Sequence, residues 1–356
     1  MTSTEEIQSI GDNAAAATQQ SRRNLITLGS VALLLGAIVI AIIDRETRQL
    51  IGDAWQEMID ISPALLLLTF AFKLGQAYFS AVTWRNLLAA AYPERKLPIG
   101  FVLGVDQGQD ALNLLSPVRA GTWAMLGLFR VAIPGAHAGT LAAVWGVQSL
   151  GYAIFAAINY VMLAIFLPKG VEGQSDLWAR IRTYGRDRPM LSTLIVLAVL
   201  IVLVWIVIRA RRQFPEFAAN VRQGAIILGS PRRYLQLVLL PSFLSLVCRC
   251  GTFGALLAAF DVPVTIATIA LATGAHALAG AVRVTPGGVG TTQAIDIVAL
   301  REYAPASTVT AFSLSEAVMT AIFSFALSIV AMVATFGLSG TLDIVRRRSG
   351  TGERLS

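Results

Sequence analysis

Six stretches of this chain stay apolar for long enough to cross a bilayer: residues 25–43, 61–82, 141–167, 191–208, 234–260 and 312–338. About 20 mostly apolar residues cover the hydrocarbon as a helix, so each stretch predicts a transmembrane span. Two further regions are apolar but interrupted. Residues 97–131 carry Asp106, Gln107, Gln109, Asp110, Asn113, Pro117 and Arg119. Residues 266–300 carry His276, Arg283, Pro286, Gly287, Gly288, Gly290, Gln293 and Asp296. Proline and clustered glycine break helices. Broken backbone at membrane depth persists only where protein buries it or a wet cavity lines it. Each region is therefore expected to be a re-entrant helical hairpin, its tip near Pro117 or Pro286, with a pair of kinked full spans as the alternative.

The expected fold is an all-α integral membrane protein of about six transmembrane helices and two re-entrant hairpins. Composition agrees: 55% of residues are hydrophobic and 14% charged, and the mean hydropathy is +0.67. The first apolar block does not read as a cleaved signal peptide, because its polar leader is long and no small-residue cleavage pattern follows. Residues 1–24 are expected to be a disordered cytosolic tail and 339–356 a basic cytosolic tail, on either side of a transmembrane domain over 25–338.

Charge sets the orientation. Residues 44–60 hold five acids and two bases, and residues 209–233 hold six Arg against one Glu. Arg346, Arg347 and Arg348 follow the last span. The positive-inside rule puts the first stretch outside and the other two inside. The loop 168–189, with five bases and three acids, is placed outside because the flanking crossings require it. With two hairpins the count closes, and both termini fall in the cytosol of a cytoplasmic-membrane protein. The net charge of +7 is then a matter of topology rather than of nucleic-acid binding. The connector 209–233 includes a basic, moderately amphipathic stretch, which suits either the inner lipid surface or an ordinary loop.

A weak repeat runs through the chain in fixed order. Lys73-Leu74-Gly75, after Pro63, corresponds to Arg249-Cys250-Gly251, after Pro241. Ser116-Pro117-Val118-Arg119-Ala120-Gly121-Thr122 corresponds to Thr285-Pro286-Gly287-Gly288-Val289-Gly290-Thr291, and Pro134 to Pro305. The unit is span, hairpin, span, over about 61–167 and 234–338. In the topology above its two copies face opposite ways, an inverted repeat of the kind transporters use.

Ionisable residues deep in a span are costly and mark function by default. Lys73 and Arg249 both sit too far from the span ends to snorkel. Two readings stand: they face a cavity and meet an anion, or they pair internally with Asp106, Asp110 or Glu316. Arg119 and Arg283 flank the hairpin breaks, where a guanidinium fork matches phosphate. Gly287, Gly288 and Gly290 either let backbone approach a headgroup or simply form the turn. Asp106, Asp110, Asp296 and Glu316 are candidates for proton coupling or counter-charge. Cys248 and Cys250 read as packing residues. His137 and His276 show no metal-ligand spacing, and the chain has no Walker loop or nucleophile elbow, so no cofactor, metal or catalytic residue is expected.

The Thr285-Pro286-Gly287-Gly288-Val289-Gly290 turn, late in such a chain, resembles the lysylphosphatidylglycerol synthase transmembrane family, also described as flippase-like. Asn113-Leu114-Leu115-Ser116-Pro117 and Gly121 fit its N-terminal motif, and the resemblance covers most of residues 25–338. It implies a lipid transporter. The family includes the membrane half of the multiple peptide resistance factor, which flips aminoacylated phosphatidylglycerol, and stand-alone members linked to hopanoid, isoprenoid or glycolipid movement. Two departures matter. No aminoacyl-transferase domain is expected after residue 338, so the resemblance does not imply lysyl transfer. Gln293 stands where the family usually has Glu, with Asp296 one turn on. The substrate expected is an anionic or aminoacylated phospholipid, or a polyprenyl or glycolipid, with a lipid-synthesis enzyme or glycosyltransferase as the candidate partner. A non-transporting scaffold and a membrane enzyme acting on a lipid-linked substrate are the rival readings.

Overall fold

The computed structural model describes residues 61–115, 120–166, 215–281, 288 and 290–350. The expected spans over 25–43 and 191–208, the loops 44–60 and 168–189, the N-terminal tail and both hairpin tips lie outside these residues. Within them every regular element is a helix. In chain order these are α1 (Pro63–Ala91), α2 (Ile99–Leu115), α3 (Ala120–Ala132), α4 (Ala138–Phe166), α5 (Pro215–Gly224), α6 (Pro231–Ala259), α7 (Ile266–Ala281), α8 (Thr291–Leu300) and α9 (Ala306–Gly350).

Four of these, α1, α4, α6 and the Ala306–Thr335 part of α9, are long and apolar enough to cross a membrane. Their outward faces carry exposed apolar residues at helical spacing, as in Leu150, Ile154, Ile158, Val161 and Ile165 of α4 and Ile322, Phe325 and Ile329 of α9. That pattern suits lipid contact rather than water. All four helices run past the boundaries read from hydropathy. α1 continues from residue 82 to Ala91 because Trp84, Leu87 and Leu88 have a core to enter. α9 bends where Gly337 leaves helical geometry, at φ 70° and ψ 171°.

α6 absorbs a proline. Pro241 has no N–H to offer Leu237, and the helix widens to a π turn over Leu235–Leu239 just before it. The Leu237 carbonyl is taken up from outside the helix: Asn86 Nδ2 of α1 donates to it at 2.8 Å.

The remaining helices are short. At 1.5 Å per residue they run about 15–26 Å, less than the ~30 Å of hydrocarbon. Four of them form two consecutive pairs, α2 with α3 and α7 with α8, each packed on its partner, while α5 packs on α4. α3 returns antiparallel to α2: Gly121 lies against the Gln109 carbonyl, while Phe129 meets Phe101 at the far end with ring centroids 6.0 Å apart.

The two halves pack reciprocally. α1 and α6 share the most extensive interface, and they run antiparallel: Gly75 lies on Cys248, and Gly251 lies on Phe72. Lys73-Leu74-Gly75 and Arg249-Cys250-Gly251, matched in sequence, thus meet across one contact. Each half also lends its first short helix to the other. α2 packs on α9 through Gly100, Gly104 and Gly108, which meet Thr335, Met332 and Ser328. α7 packs on α4 through Gly274, which meets Asn159 and Leu163. Small residues let helix backbones close in where lipid supplies no hydrophobic drive. Two apolar cores result. One joins Trp84, Phe101, Phe129 and Leu141 with Val238 of α6 and Met332 of α9. The other joins Phe253, Leu271, Leu300 and Phe312 with Ile61 and Leu163.

Candidate functional site

Between the two cores lies a polar cavity of about 520 Å³, to which α1–α4 and α6–α9 all contribute. The helices deliver polar side chains to it at helical spacing. α1 gives Lys73, Gln76, Ser80 and Trp84; α2 gives Asp106, Gln109, Asp110 and Asn113; α4 gives Trp145, Gln148, Ser149 and Tyr152. From the second half come Arg249, Thr252, His276, Gln293, Glu316 and Thr320. A stripe of polar residues on an otherwise apolar helix has to face the protein interior, because lipid cannot satisfy it.

Lys73 answers both readings of its sequence position. It lines the cavity, and its Nζ lies 3.1 Å from Glu316 Oε1. The ammonium also donates to Thr320 Oγ1, whose hydroxyl in turn donates to Glu316 Oε1 at 2.8 Å. Glu316 Oε2 reaches toward His276 Nδ1 at 3.8 Å. On the other side of the imidazole, Nε2 stands 2.8 Å from Asp296 Oδ2, a close contact that is poorly aligned for a hydrogen bond. Asp296 is completely buried behind His276 and does not itself line the cavity. The rings of Phe253 and Phe312 box the imidazole edge-on, with centroids at 4.7 and 6.4 Å. A continuous chain of titratable side chains therefore runs Lys73–Glu316–His276–Asp296.

Arg249 is held differently. Its guanidinium lies 5.7 Å above the Phe253 ring, within cation–π range, and among the described residues no carboxylate stands within ion-pair distance of it. It lines the cavity, and among the described residues its guanidinium makes no hydrogen bond.

On the first-half side, the Asp106 carboxylate is approached by hydrogen-bonding groups of Ser80, Trp84 and Gln107, with Asp110 one turn on. Ser80 Oγ and Tyr152 OH lie 3.1 Å apart. Gln107 is tied down by Ser324, whose Oγ lies 3.2 Å from Gln107 Oε1.

Gly288 and Gly290 both take left-handed backbone, at φ 72° and 84°, which L side chains rarely adopt. Nothing lies within 4 Å of a Cβ added at Gly290, so conformation rather than crowding requires glycine there. Gly290 caps α8, and its N–H donates to Gln293 Oε1 at 2.6 Å. Arg119, Arg283 and Gly287 lie outside the described residues. Of the other residues expected in a site, Lys73, Arg249, Asp106, Asp110 and Glu316 share one cavity.

His276 joins the cavity although no metal spacing pointed to it. Ser80, Gln148 and Tyr152 are further additions. For Gln148 and Tyr152 the available signal was the polar stripe Trp145, Gln148, Ser149 and Tyr152, at i, i+3, i+4 and i+7 within an apolar span, and for Ser80 it was the run Lys73, Gln76 and Ser80 on α1.

The model of the family described as lysylphosphatidylglycerol synthase TM region matches residues 29–331. No curated protein matches the chain.

Proposed function

The chain belongs to the lysylphosphatidylglycerol synthase TM region family, and on that premise we propose that it is a lipid flippase of the cytoplasmic membrane. It moves an anionic or aminoacylated phospholipid, or a polyprenyl or glycolipid, through the cavity between its two halves. The observation that carries this reading is Arg249: a cation deep in an apolar helix, facing a polar cavity, with no carboxylate partner among the described residues. An anionic headgroup would complete it, through a fork geometry suited to phosphate, while the acyl or prenyl tails stay in the bilayer. Lys73 supports the same end of the cavity but already shares its charge with Glu316.

In this reading α2–α3 and α7–α8 are re-entrant hairpins, in line with their short helices, and the two halves are inverted repeats about the antiparallel α1–α6 contact. Both termini are cytosolic. Rocking of one half against the other would expose the cavity to each face in turn. A separate lipid-synthesis enzyme or glycosyltransferase supplies the substrate.

Transfer of fluorescent lipids in proteoliposomes tests this, comparing anionic, cationic and polyprenyl-phosphate headgroups. Headgroup-selective transfer is expected from the native protein and is expected to vanish in the Lys73→Met, Arg249→Met variant. Arg249→Met alone should lose most of it while leaving the Lys73–Glu316 pair intact. No transfer of any lipid by folded protein would overturn the reading.

The close His276–Asp296 contact favours one alternative, a membrane enzyme using the imidazole as acid or base on a lipid-linked substrate. A chemically altered lipid after incubation with purified protein would establish that activity; an unchanged one would dismiss it.

A further inference from the structure

The turn between α5 and α6 is clamped to the bundle on its inner side and carries an unusual outer side. Gln223 Nε2 donates to the Ala91 carbonyl at the end of α1 at 2.9 Å, and Gly224 lies on the Thr140 carbonyl near the start of α4. Ile227 is buried in the first apolar core. On either side of it, Ile226 and Leu228 stand 57% and 42% exposed. Arg222, Arg232 and Arg233 are exposed as well, and among the described residues no carboxylate lies within ion-pair distance of any of them.

The packing shows which end of the bundle this turn belongs to. α1 and α6 are antiparallel, so the end of α1 at Ala91 and the start of α6 at Pro231 fall together. The start of α2 follows directly, and the Phe101–Phe129 contact brings the end of α3 to it. Besides the three arginines, this end carries the exposed Arg95, Lys96 and Arg130, against Glu94 and Glu216. At the opposite end, where Ile61, Phe260 and Leu300 share a core, stand Asp261, Glu302 and Arg301. The bases of the described helix ends are thus gathered on one side of the molecule.

Exposed isoleucine and leucine beside exposed arginine suit neither bulk water nor hydrocarbon. The membrane interface serves both, since apolar side chains dip below the headgroups while guanidinium groups stay among them. Depth agrees. Ile226 lies five residues before Pro231, which opens a helix long enough to cross the membrane, and Leu235, Leu237 and Leu240 on that helix are exposed for lipid contact. Charge then selects the lipid. Bases at a membrane surface attract anionic lipid additively, without having to converge on one ion. The guanidinium fork also matches a phosphate.

We propose that the turn between α5 and α6 inserts Ile226 and Leu228 into one leaflet, and that Arg222, Arg232 and Arg233 beside them bind anionic phospholipid there. In the orientation given above that leaflet is the cytosolic one. This surface is separate from the cavity and is independent of what the cavity carries.

Two measurements test it, on the full-length protein in vesicles of mixed phosphatidylcholine and phosphatidylglycerol. The first reads insertion. A nitroxide on Ile226→Cys, in a Cys248→Ser, Cys250→Ser background, is expected to collide more with membrane-dissolved oxygen than with an aqueous nickel chelate. The second reads lipid choice in the native chain. Spin-labelled phosphatidylglycerol is expected to be held at the protein in preference to spin-labelled phosphatidylcholine, and added salt should weaken that preference. Arg222→Gln, Arg232→Gln and Arg233→Gln together should remove about half of it or more, because they supply much of the positive field at that end. Arg301→Gln, at the opposite end, should leave it in place. A nitroxide that meets nickel more than oxygen overturns the insertion and marks the turn as a water-facing surface for a protein partner. Equal retention of the two lipids by folded native protein overturns the lipid site, as does a preference that survives the triple substitution. Neither readout involves lipid transfer, so their failure leaves the flippase reading standing.

Discussion

Lys73 Nζ lies 3.1 Å from Glu316 Oε1, and this single contact ties the first helix of one half to the last helix of the other. The pair stands where the polar cavity begins and the apolar core around Phe253 and Phe312 ends. It therefore serves two ends. It neutralises two charges that the bilayer would penalise, and it fixes Glu316 where His276 can approach its second oxygen at 3.8 Å.

Breaking that pair from one side is expected to be worse than removing it. Lys73→Met leaves Glu316 as a largely buried charge without its main partner, and removal of one member of a fully buried pair typically costs about 3–5 kcal/mol, an upper bound here. Replacing both, in Lys73→Met with Glu316→Leu, removes the uncompensated charge and should return more than half of the lost stability. Thermal melting of the two single variants and the double variant in nanodiscs measures the coupling. Simple additivity would show that the pair is not a unit.

Two glycines on α3 make a matched test of helix packing. A Cβ at Gly121 would run into the Gln109 carbonyl oxygen, which belongs to backbone and cannot swing aside. A Cβ at Gly127 would meet nothing within 4 Å. Gly121→Ala should force α2 and α3 apart and cost about 1–3 kcal/mol, the usual range for overpacking. Gly127→Ala should be neutral or stabilising by up to ~1 kcal/mol, since alanine is the better helix former. The order of melting temperatures decides it.

Four of the six expected apolar spans were readable because a membrane allows few patterns, and Lys73 and Arg249 stood out as charges far from any interface. What stayed hidden was partnership. Glu316 lies 243 residues from Lys73, and Asp296 lies 20 residues from His276, so only the fold pairs them. Uncharged members of the cavity such as Ser80, Gln148 and Tyr152 are cheap enough singly to pass as neutral in a hydropathy scan. They become conspicuous only when α1, α2 and α4 bring their polar faces together. The ordered short matches were visible in the sequence, but the contacts of Gly75 with Cys248 and Gly251 with Phe72 between α1 and α6 were not.

The π turn of α6 carries its own prediction. Pro241 frees the Leu237 carbonyl, and Asn86 supplies the hydrogen bond from α1. Asn86→Leu should cost about 1 kcal/mol, the scale of an interhelical hydrogen bond in a membrane protein. In a Pro241→Ala background the helix can satisfy Leu237 by itself, so the same Asn86→Leu change should cost little. A double-mutant cycle on melting temperature reads the difference directly. An equal cost in both backgrounds would mean that Asn86 acts through packing rather than through that carbonyl.

Gln293 stands where the resemblance read from the sequence implies a Glu, and its geometry here gives it a capping role. Its Oε1 accepts from the Gly290 N–H at 2.6 Å, closing the first turn of α8 beside a left-handed glycine. Glutamate can accept the same hydrogen bond, and its charge would sit at a helix N-terminus, where it is favoured by about 0.3–1 kcal/mol. Gln293→Glu should therefore fold at least as well as the native protein. Gln293→Leu keeps the size but loses the acceptor and should cost about 0.5–2 kcal/mol. Lipid transfer separates a capping role from a direct one. If transfer follows stability across the Glu and Leu variants, the residue acts by building the turn at the mouth of α8. If Gln293→Glu melts normally yet changes which headgroup is carried, the added charge is felt in the cavity that Gln293 lines.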